Sequence, residues 1–476
     1  MAYKKGNRYQ MDLFPKSIEE YVQDEDPVRV YDAFIESLSM EDIEVDIDCN
    51  KVGNSQYDPK AMLKLLVYGY SYGWRSSRKH ERALYHNVSF IWLMGGLKPD
   101  HKTIANFRRN NKRALKEVLS QCVKLCIKLD LIEGNTLFVD GSKMRGNASI
   151  NKTWTEEKCT RHLKGIEDRI EEILKECEQV DTREEDNASL VKLKGELVKK
   201  EEMQARVKTV LEEIKREKKT SVNGTDKDCV KIKGRQGIHA GYNSQIVVDE
   251  KHGLIVNCDV VQENNDTNQF SHQIKQANEV LGKECKVACS DAGYSKVDNL
   301  KEIDDKDIKV IVPTSKQASR EGVENPFGKE RFLYDEEKDV YECPEGNKLR
   351  LSGYYKAKNC YQYTMINREV CKECKHFGVC TKNKNGRTVK RHANEKLKEK
   401  FEQLYKSDEG QEIYKKRKEK VELPFGHIKR NLNVGSFLLR GNSGVNAEMA
   451  VFSTCFNISR MMTLIGKQEL MQRLWN

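Results

Sequence analysis

The sequence predicts an α/β protein with a helical N-terminal part. Apolar residues recur at helical spacing before residue 125, short β-branched runs alternate with helical stretches after residue 135, and residues 100–312 contain no helix-breaking proline. The chain has 476 residues, of which 38% are hydrophobic, enough for about three domains with a sizeable core. These features exclude wholesale disorder.

Composition excludes further classes of protein. With 84 Lys and Arg against 74 Asp and Glu, the formal net charge is +10. No apolar stretch approaches the ~18 residues of a membrane-spanning helix, and the N-terminus lacks the apolar core of a signal peptide. We therefore expect a cytoplasmic protein with no membrane contact. In that compartment a close cluster of its 15 cysteines is expected to hold metal rather than form disulfides.

The N-terminal part separates its charges along the chain. Residues 17–58 sum to −11, whereas residues 60–116 sum to +11. Apolar positions at helical spacing, and Asp100 as a helix cap before a basic stretch, predict a helical DNA-binding domain over residues 1–125. Its predicted phosphate contacts are Arg108, Arg109, Lys112 and Arg113. A solvated helix bundle is the alternative.

Residues 156–219 are dense in Glu, Lys and Arg with apolar residues at helical spacing. A polar break, DTREEDN, divides the stretch into two parts. We predict two antiparallel helices packed as a hairpin, inserted for scaffolding or dimer formation.

Strand-like runs lie on both sides of this insertion. They comprise residues 136–140, a hairpin pair at 245–250 and 254–261 joined by Lys251-His252-Gly253, and runs at 286–291 and 309–313, with a helix predicted at 269–281. This element order is that of an RNase H-like fold. We expect such a core over residues 130–465, interrupted by residues 156–219 and by a Cys-rich segment at 330–385.

Three carboxylates occupy positions that such a fold could bring close together. Asp140 and Asp291 each end a predicted strand, and Glu422 lies in a helix-forming stretch. Carboxylates are the ligands that Mg²⁺ prefers, and paired ions of this kind serve phosphodiester chemistry. Each aspartate alone could instead cap a turn. The rival carboxylates are Asp249, Asp259, Asp266 and Glu419.

A set of motifs now carries a family resemblance. In chain order they are YDPKAMLKLLVYGY, DHKTIANFR, FVDGSKMRGNAS, GYNSQIVVDE, NDTNQF, SDAGY, RKEKVELPFGHIK, LLRG and AEMAVFSTCFNISRM. The sequence resembles bacterial insertion-sequence transposases of the DDE class, in particular the group named after insertion sequence eleven-eighty-two.

The resemblance implies an enzyme that cuts and joins DNA. It implies Asp140, Asp291 and Glu422 as the triad that binds Mg²⁺ or Mn²⁺. The expected partners are double-stranded DNA, as terminal inverted repeats and target, and a second copy of the chain, on the bacterial nucleoid. No Gly-rich phosphate loop occurs, so no nucleotide cofactor is expected.

The helix around Glu422 departs from a pattern common among related transposases, Y-x2-R-x3-E-x6-K. Tyr414 and Arg417 keep the first gap and Lys429 keeps the last, but four residues separate Arg417 from Glu422. We predict phosphate contacts for the basic residues of this stretch, namely Arg417, Lys420 and Lys429, with a solvated basic face as the alternative. Pro424 is expected to perturb the helix.

A cysteine cluster precedes that helix. Cys371 and Cys374 form a Cys-x2-Cys knuckle, with Cys343 before it and Cys380 after it. Four thiolates suit a closed structural Zn²⁺ site, so we expect a zinc-ribbon-like insertion. Cys360 could replace the first ligand, His376 could replace a cysteine, and ordinary reduced cysteines are the plain alternative.

Two classes of function remain open at this stage. The first is a metal-dependent DNA transposase, with a nuclease that cannot join strands as its close variant. The second is a catalytically silent DNA-binding regulator derived from a transposase. Metal-dependent cleavage separates the classes.

Overall fold

A computed structural model describes residues 17–45, 56–182, 187–217, 219, 221–234, 237–318 and 326–475. Residues 1–16 and 46–55 of the predicted N-terminal domain lie outside the described residues, as do residues 183–186 in the predicted helix break. Contacts divide the chain into a first unit, residues 1–266, 272–285 and 418–476, and a second unit, residues 267–271 and 286–417.

The N-terminal part is helical, as the spacing of apolar residues predicts. Its helices are α1 (Pro27–Glu36), α2 (Pro59–Ser71), α3 (Ser77–His86), α4 (Val88–Leu93), α5 (His101–Asn110) and α6 (Lys112–Lys128). Aspartates cap three of them: Asp26 and Asp58 each precede a proline at the first helical position, and Asp100 accepts a bond from the Thr103 amide at 2.7 Å. The predicted Asp100 cap is confirmed.

The acidic and basic segments partly neutralise each other. The Lys64 ammonium lies 2.6 Å from carboxylate oxygens of both Asp32 and Glu36, and Lys60 lies 3.0 Å from Glu36. These pairs join α1 to α2. The +11 stretch is therefore not all available to an external partner.

His80 is a fully buried histidine in this helical part. Its ring contacts the carbonyl oxygen of Trp74, and burial lowers its pKa to about 4. Gly69 lies so close that a Cβ on it would approach the His80 Nε2 to 2.2 Å. Packing therefore holds this imidazole neutral.

A pH dependence of stability follows. The folded pKa of about 4 lies below the ordinary 6.5, so between these values the unfolded chain binds more protons and unfolding becomes easier as pH falls. We expect the contribution of His80 to the free energy of unfolding to fall by about 2 kcal/mol from pH 7 to pH 5. Urea denaturation of wild type and His80→Gln at both pH values measures it. An equal pH dependence in both proteins would contradict it.

The next elements build the sheet of the first unit. They are β1 (Thr136–Arg145), β2 (Thr153–Trp154), α7 (Glu156–Thr182), α8 (Asn187–Arg216), β3 (Val222–Asn223), β4 (Val230–Gly234), β5 (Gly237–Asp249) and β6 (Ile255–Val261). Antiparallel β1 lies along one edge of β5, while β4 and β6 pair with successive halves of its other edge. The predicted hairpin of β5 and β6 is confirmed.

The predicted helical hairpin is formed by α7 and α8. Buried apolar residues hold the two helices together, and Arg169 on α7 lies 3.2 Å from Glu196 on α8. The short pair of β2 and β3 joins the hairpin at its base.

The chain continues mainly through the second unit. The elements that follow are α9 (Phe270–Leu281), β7 (Val287–Cys289), α10 (Val297–Asp304), β8 (Lys309–Ile311), α11 (Ser315–Ala318), β9 (Leu333–Asp335), β10 (Val340–Glu342), β11 (Lys348–Tyr355), β12 (Cys360–Met365), α12 (Arg368–Lys372), β13 (Thr388–His392), α13 (Glu395–Lys406) and α14 (Asp408–Gly426). Most of α9 and the end of α14 belong to the first unit. The parallel pair β7–β8 precedes a five-stranded antiparallel sheet in the order β13-β12-β11-β10-β9. The Cys-rich sheet thus extends past residue 385, because β13 completes it.

Two final helices, α15 (Asn442–Ile465) and α16 (Lys467–Trp475), belong to the first unit. The side chains of Asn446 and Asn457 exchange hydrogen bonds with the backbone of Val260 and Ile255, at 2.8–3.0 Å. In this way α15 supplies hydrogen-bond partners to backbone groups on the outer edge of β6, where an open sheet would leave such groups unpaired. No helix in the described part of the chain is long and apolar enough to span a membrane.

Candidate active site and cysteine cluster

Asp140 lies within β1 rather than at its end. The strand continues to Arg145 because β5 is long enough to pair with it throughout, from Leu137 opposite Asp249 to Arg145 opposite Gly241. The prediction that Asp140 ends the strand was wrong. Because side chains alternate along a strand, Asp140 shares its face of the sheet with Ser142. Asp140 is half-buried.

Glu422 is exposed on the C-terminal part of α14. Two lysines fix this part of the helix to the sheet of the first unit. Lys420 donates to the carbonyl oxygen of Lys251 in the β5–β6 turn at 3.2 Å, and Lys429 donates to the Ser142 hydroxyl. The segment that carries Glu422 is therefore tied to the face of β1 that carries Asp140.

Pro424 does not break the helix where it stands. α14 runs through it to Gly426 and continues as a π-helical turn over His427–Asn431. Such turns inside α-helices occur frequently at functional sites. Lys429, which contacts β1, lies within this turn.

Asp291 follows β7 in the second unit. Its Oδ1 accepts a hydrogen bond from the Gly293 amide at 2.8 Å, and its Oδ2 lies 3.5 Å from an Arg417 nitrogen. It therefore performs the capping role that a strand-terminal aspartate can perform, while its side chain stays 44% exposed. Arg417 is buried, with its guanidinium carbon 5.9 Å from the Tyr414 ring centre.

Two of the rival carboxylates, Asp249 and Asp259, accept hydrogen bonds from structural partners. Asp249 accepts from the amides of Gly134 and Lys251, at 2.7 and 3.0 Å, and its burial raises its pKa. Asp259 accepts from Gln273 at 3.3 Å. Glu419 is exposed on α14.

Asp266 is the centre of a polar cluster that the sequence did not reveal. Asn243 and Gln245 each donate to its Oδ1 at 2.8 Å, and Lys143 lies 3.2 Å away. The register of β1 and β5 puts these donors on the face opposite Asp140. The motifs GYNSQ and NDTNQF, which supply these residues, were the available signal.

The predicted DNA contacts divide into exposed and buried residues. Arg109 and Arg113 are exposed, and Lys112 donates to Ser443 at 3.3 Å. Arg108 is only 7% exposed and donates to the Arg75 carbonyl and the Tyr70 hydroxyl. We therefore withdraw Arg108, and likewise buried Arg417, as surface contacts to DNA.

The four predicted zinc ligands surround one small cavity in the second unit. Cys343, Cys371, Cys374 and Cys380 all line a space of about 30 Å³. Burial raises the pKa of the Cys380 thiol, and the other three cysteines raise it further while Arg387 opposes them. Among the described residues, however, no set of three His, Cys, Asp or Glu side chains is arranged to hold a metal ion.

Of the two alternative ligands, His376 lines the cavity, although its Nε2 lies 3.0 Å from the Glu345 carboxylate. Cys360 is not among the lining residues and stands opposite Tyr355 in the β11–β12 pair.

Two domain families match the chain. Residues 342–462 match the family described as "Transposase DDE domain", a range that includes Glu422 and the four clustered cysteines. Residues 16–110 match "Transposase domain (DUF772)", which here corresponds to α1–α5. Asp140 and Asp291 lie outside both matches.

These matches indicate transposase domains of the DDE class. Together with the motifs of the sequence, they indicate an insertion-sequence transposase, as predicted. The fold is mixed α/β, also as predicted.

Other comparisons add little to this family assignment. No curated protein matches the chain. A solved structure, "Cryo-EM structure of piggyBac transposase synaptic complex with hairpin DNA", is similar over 95% of this chain and 79% of its own, with 9% identity and a TM-score of 0.34. Similarity at that level says nothing further about this chain.

Proposed function

We propose that this chain is a transposase that binds the terminal inverted repeats of an insertion sequence, cuts DNA at their ends and joins the freed ends to target DNA. The observation that carries the proposal is the attachment of the Glu422 segment to the Asp140 strand through Lys429 and Ser142, in a chain that matches transposase families near both ends. We assign these elements to an RNase H-like core.

Asp140, Asp291 and Glu422 are the proposed catalytic residues. Each of these residues is at least partly exposed, and carboxylates suit hard divalent cations such as Mg²⁺ or Mn²⁺. When bound, these ions supply activation of the attacking oxygen and neutralisation of charge on the phosphate.

Other residues of the chain position the reactants. Arg417 holds the Asp291 carboxylate from a buried position and is a positioning residue. Lys429 and Lys420 fix the Glu422 segment, and exposed Arg109 and Arg113 contact phosphates, with Lys112 beside them. Two DNA ends must be held together, so we propose a homodimer acting on the bacterial nucleoid.

A joining assay tests this function. Purified protein is incubated with Mg²⁺, a labelled duplex that contains the inverted repeat flanking the gene, and a supercoiled target plasmid. We expect labelled DNA joined to the plasmid. Salt-sensitive binding with no cleavage would instead favour the silent regulator, and cleavage without joining would favour a nuclease.

We also propose that the four clustered cysteines bind a structural Zn²⁺. Their shared cavity supports it, since tetrahedral thiolate coordination needs four sulfurs around one point. Metal binding would draw the thiolates together, because such sites complete their folding with the ion. Cys360, outside the cavity lining, is not a proposed ligand.

The zinc content of variants should distinguish Cys374, a proposed ligand, from Cys360, which is not proposed as one. We expect wild type and Cys360→Ser to contain about one zinc ion per chain, and Cys374→Ser to contain much less and to melt at a lower temperature. Elemental analysis of proteins purified without chelators measures this. Wild-type protein with well under one zinc per chain, or equal zinc in both variants, would contradict the proposal.

A further inference from the structure

A second strongly basic stretch, besides residues 60–116, spans most of the five-stranded sheet of the second unit. Residues 348–392 contain twelve Lys and Arg against two acids, a net of +10 that equals the formal charge of the whole chain. The basic residues are Lys348, Arg350, Lys356, Lys358, Arg368, Lys372, Lys375, Lys382, Lys384, Arg387, Lys390 and Arg391. The acids are Glu369 and Glu373.

Strand register sorts this sheet into two faces. Directly opposed residues of antiparallel strands point to the same side. One face is apolar: Leu349 stands opposite Met365 and Tyr363 opposite Val389, all buried. The other face of β11, β12 and β13, here called the basic face, carries Lys348, Arg350, Gln362, Thr364, Thr388 and Lys390.

The cations of the basic face are available to an external partner. Lys348, Arg350 and Lys390 are exposed, and none forms an ion pair within the described part of the chain. Lys390 lies 5.0 Å from the centre of the Tyr355 ring. Two acids lie on this side of the sheet: Glu342 on β10 stands directly opposite Lys348 without forming an ion pair with it, and Asp335 on β9 lies one strand further out.

The arrangement suits a phosphate backbone. Alternate residues on a strand lie about 7 Å apart and adjacent strands about 4.8 Å apart, so the three cations form a fixed array interleaved with amide and hydroxyl donors. Fixed arrays of this kind neutralise phosphates and release counterions.

The aromatic residues favour a duplex over a single strand. Single-strand binding relies on several aromatic rings that stack on bases. Here Tyr363, Tyr341 and Tyr334 pack with one another around the apolar face, and the basic face offers Tyr355, which is exposed and has the Lys390 ammonium near its ring. Phosphate contact therefore dominates.

We propose that the basic face of β11–β13 is a second binding surface for double-stranded DNA, separate from the N-terminal helices. The inference rests on the proposed function, because a transposase must hold both element ends and target DNA. Its contacts are to phosphates and are independent of sequence.

Binding of a random-sequence 30-base-pair duplex, measured by fluorescence anisotropy from 50 to 300 mM NaCl without added Mg²⁺, tests the surface. The test variant combines Lys348→Gln, Arg350→Gln and Lys390→Gln. The matched control combines Lys316→Gln, Lys338→Gln and Lys396→Gln, which removes the same charge from second-unit lysines that already pair with Glu330, Asp335 and Glu336. Thermal melting checks that both variants are folded.

We expect the test variant to bind at least about tenfold more weakly than the control at 100 mM NaCl, with a salt slope lower by about 3. Equal affinity and slope in the two variants would overturn the proposal, as would a preference of wild type for the single strand. Cleavage by wild-type protein is scored separately. If wild-type protein cut no DNA, the proposed enzymatic activity would be refuted, but the difference in binding between the two variants could still be interpreted.

Discussion

Replacing Glu422 by glutamine is expected to reduce DNA cleavage by at least about a thousandfold. Glutamine keeps the size of the side chain but removes the negative charge that a divalent cation requires, and the several kcal/mol such an ion contributes at the transition state correspond to tenfold in rate for each ~1.4 kcal/mol. Glu422 is exposed on α14, so the substitution leaves the helix intact. Cleavage of labelled repeat-end DNA under single-turnover conditions measures the effect.

Glu419 provides the matched control. It is exposed on the same helix, one turn before Glu422, and the sequence alone left it as a rival. We expect Glu419→Gln to cleave within a few-fold of wild type, and both variants to bind repeat-end DNA as wild type does. If Glu419→Gln lost cleavage and Glu422→Gln kept it, the assignment of the third carboxylate would be wrong.

Glu448 carries the largest expected effect on stability. It is buried on α15 and accepts hydrogen bonds from the amides of Leu438 and Leu439, at 2.8 and 3.0 Å, with Arg75 3.4 Å away. Burial raises its pKa, although these donors oppose the shift. Alanine would leave two amides without their buried acceptor and remove the carboxylate beside Arg75, so the free energy of unfolding should fall by about 3–5 kcal/mol.

Urea denaturation measures this loss, with Glu469→Ala as the control. Glu469 is exposed on α16 and pairs with Arg473, so its removal should cost less than about 0.5 kcal/mol. Glu448→Gln keeps one carbonyl oxygen as an acceptor, so its loss in free energy of unfolding should lie between the losses of the two alanine variants. A loss below about 1 kcal/mol in Glu448→Ala would mean that Glu448 does not hold this loop.

The same loop reaches the candidate site. The Phe437 amide donates to the carbonyl oxygen of Arg145 at 2.8 Å, at the end of the strand that carries Asp140. Glu448 thus supports β1 through residues 436–439. We expect Glu448→Gln to lower cleavage only as far as it lowers the folded fraction.

Local signals in the sequence were sufficient for many elements. Asp100 caps α5 because its partner amide is three residues away, and the β5–β6 hairpin follows from a turn at Lys251-His252-Gly253. The period of apolar residues predicted α7 and α8 as a packed pair. Each of these features depends on neighbours close in the chain.

Features that depend on distant residues were not predictable in this way. The length of β1 is set by β5, about a hundred residues later, so Gly141 and Ser142 looked like the start of a turn but lie within the strand. Arg108 appeared to be a phosphate contact because its burial depends on Tyr70 and Arg75. That Lys390 shares a face with Lys348 and Arg350 was not predictable, because these cations come from two strands, β13 and β11, that flank β12.

The triad was proposed from the order of its three carboxylates along the chain and from the family motifs. The structure adds a different observation for each residue. For Glu422 it adds the attachment of the helix to the Asp140 strand through Lys429. For Asp291 it adds a buried arginine partner, Arg417. For the rival Asp266 it adds a reason for exclusion, since the donors around it lie on the face of β1 and β5 opposite Asp140.

The central claim is that carboxylates of this chain carry out metal-dependent cutting of DNA. It is tested most directly by the cleavage rate of labelled repeat-end DNA by wild type and Asp140→Asn, each with Mg²⁺ and with EDTA. We expect wild type to nick the DNA at the repeat boundary, leaving a free 3′-hydroxyl, in Mg²⁺ but not in EDTA. Equal cleavage by Asp140→Asn, or cleavage by wild type that EDTA does not diminish, would contradict it.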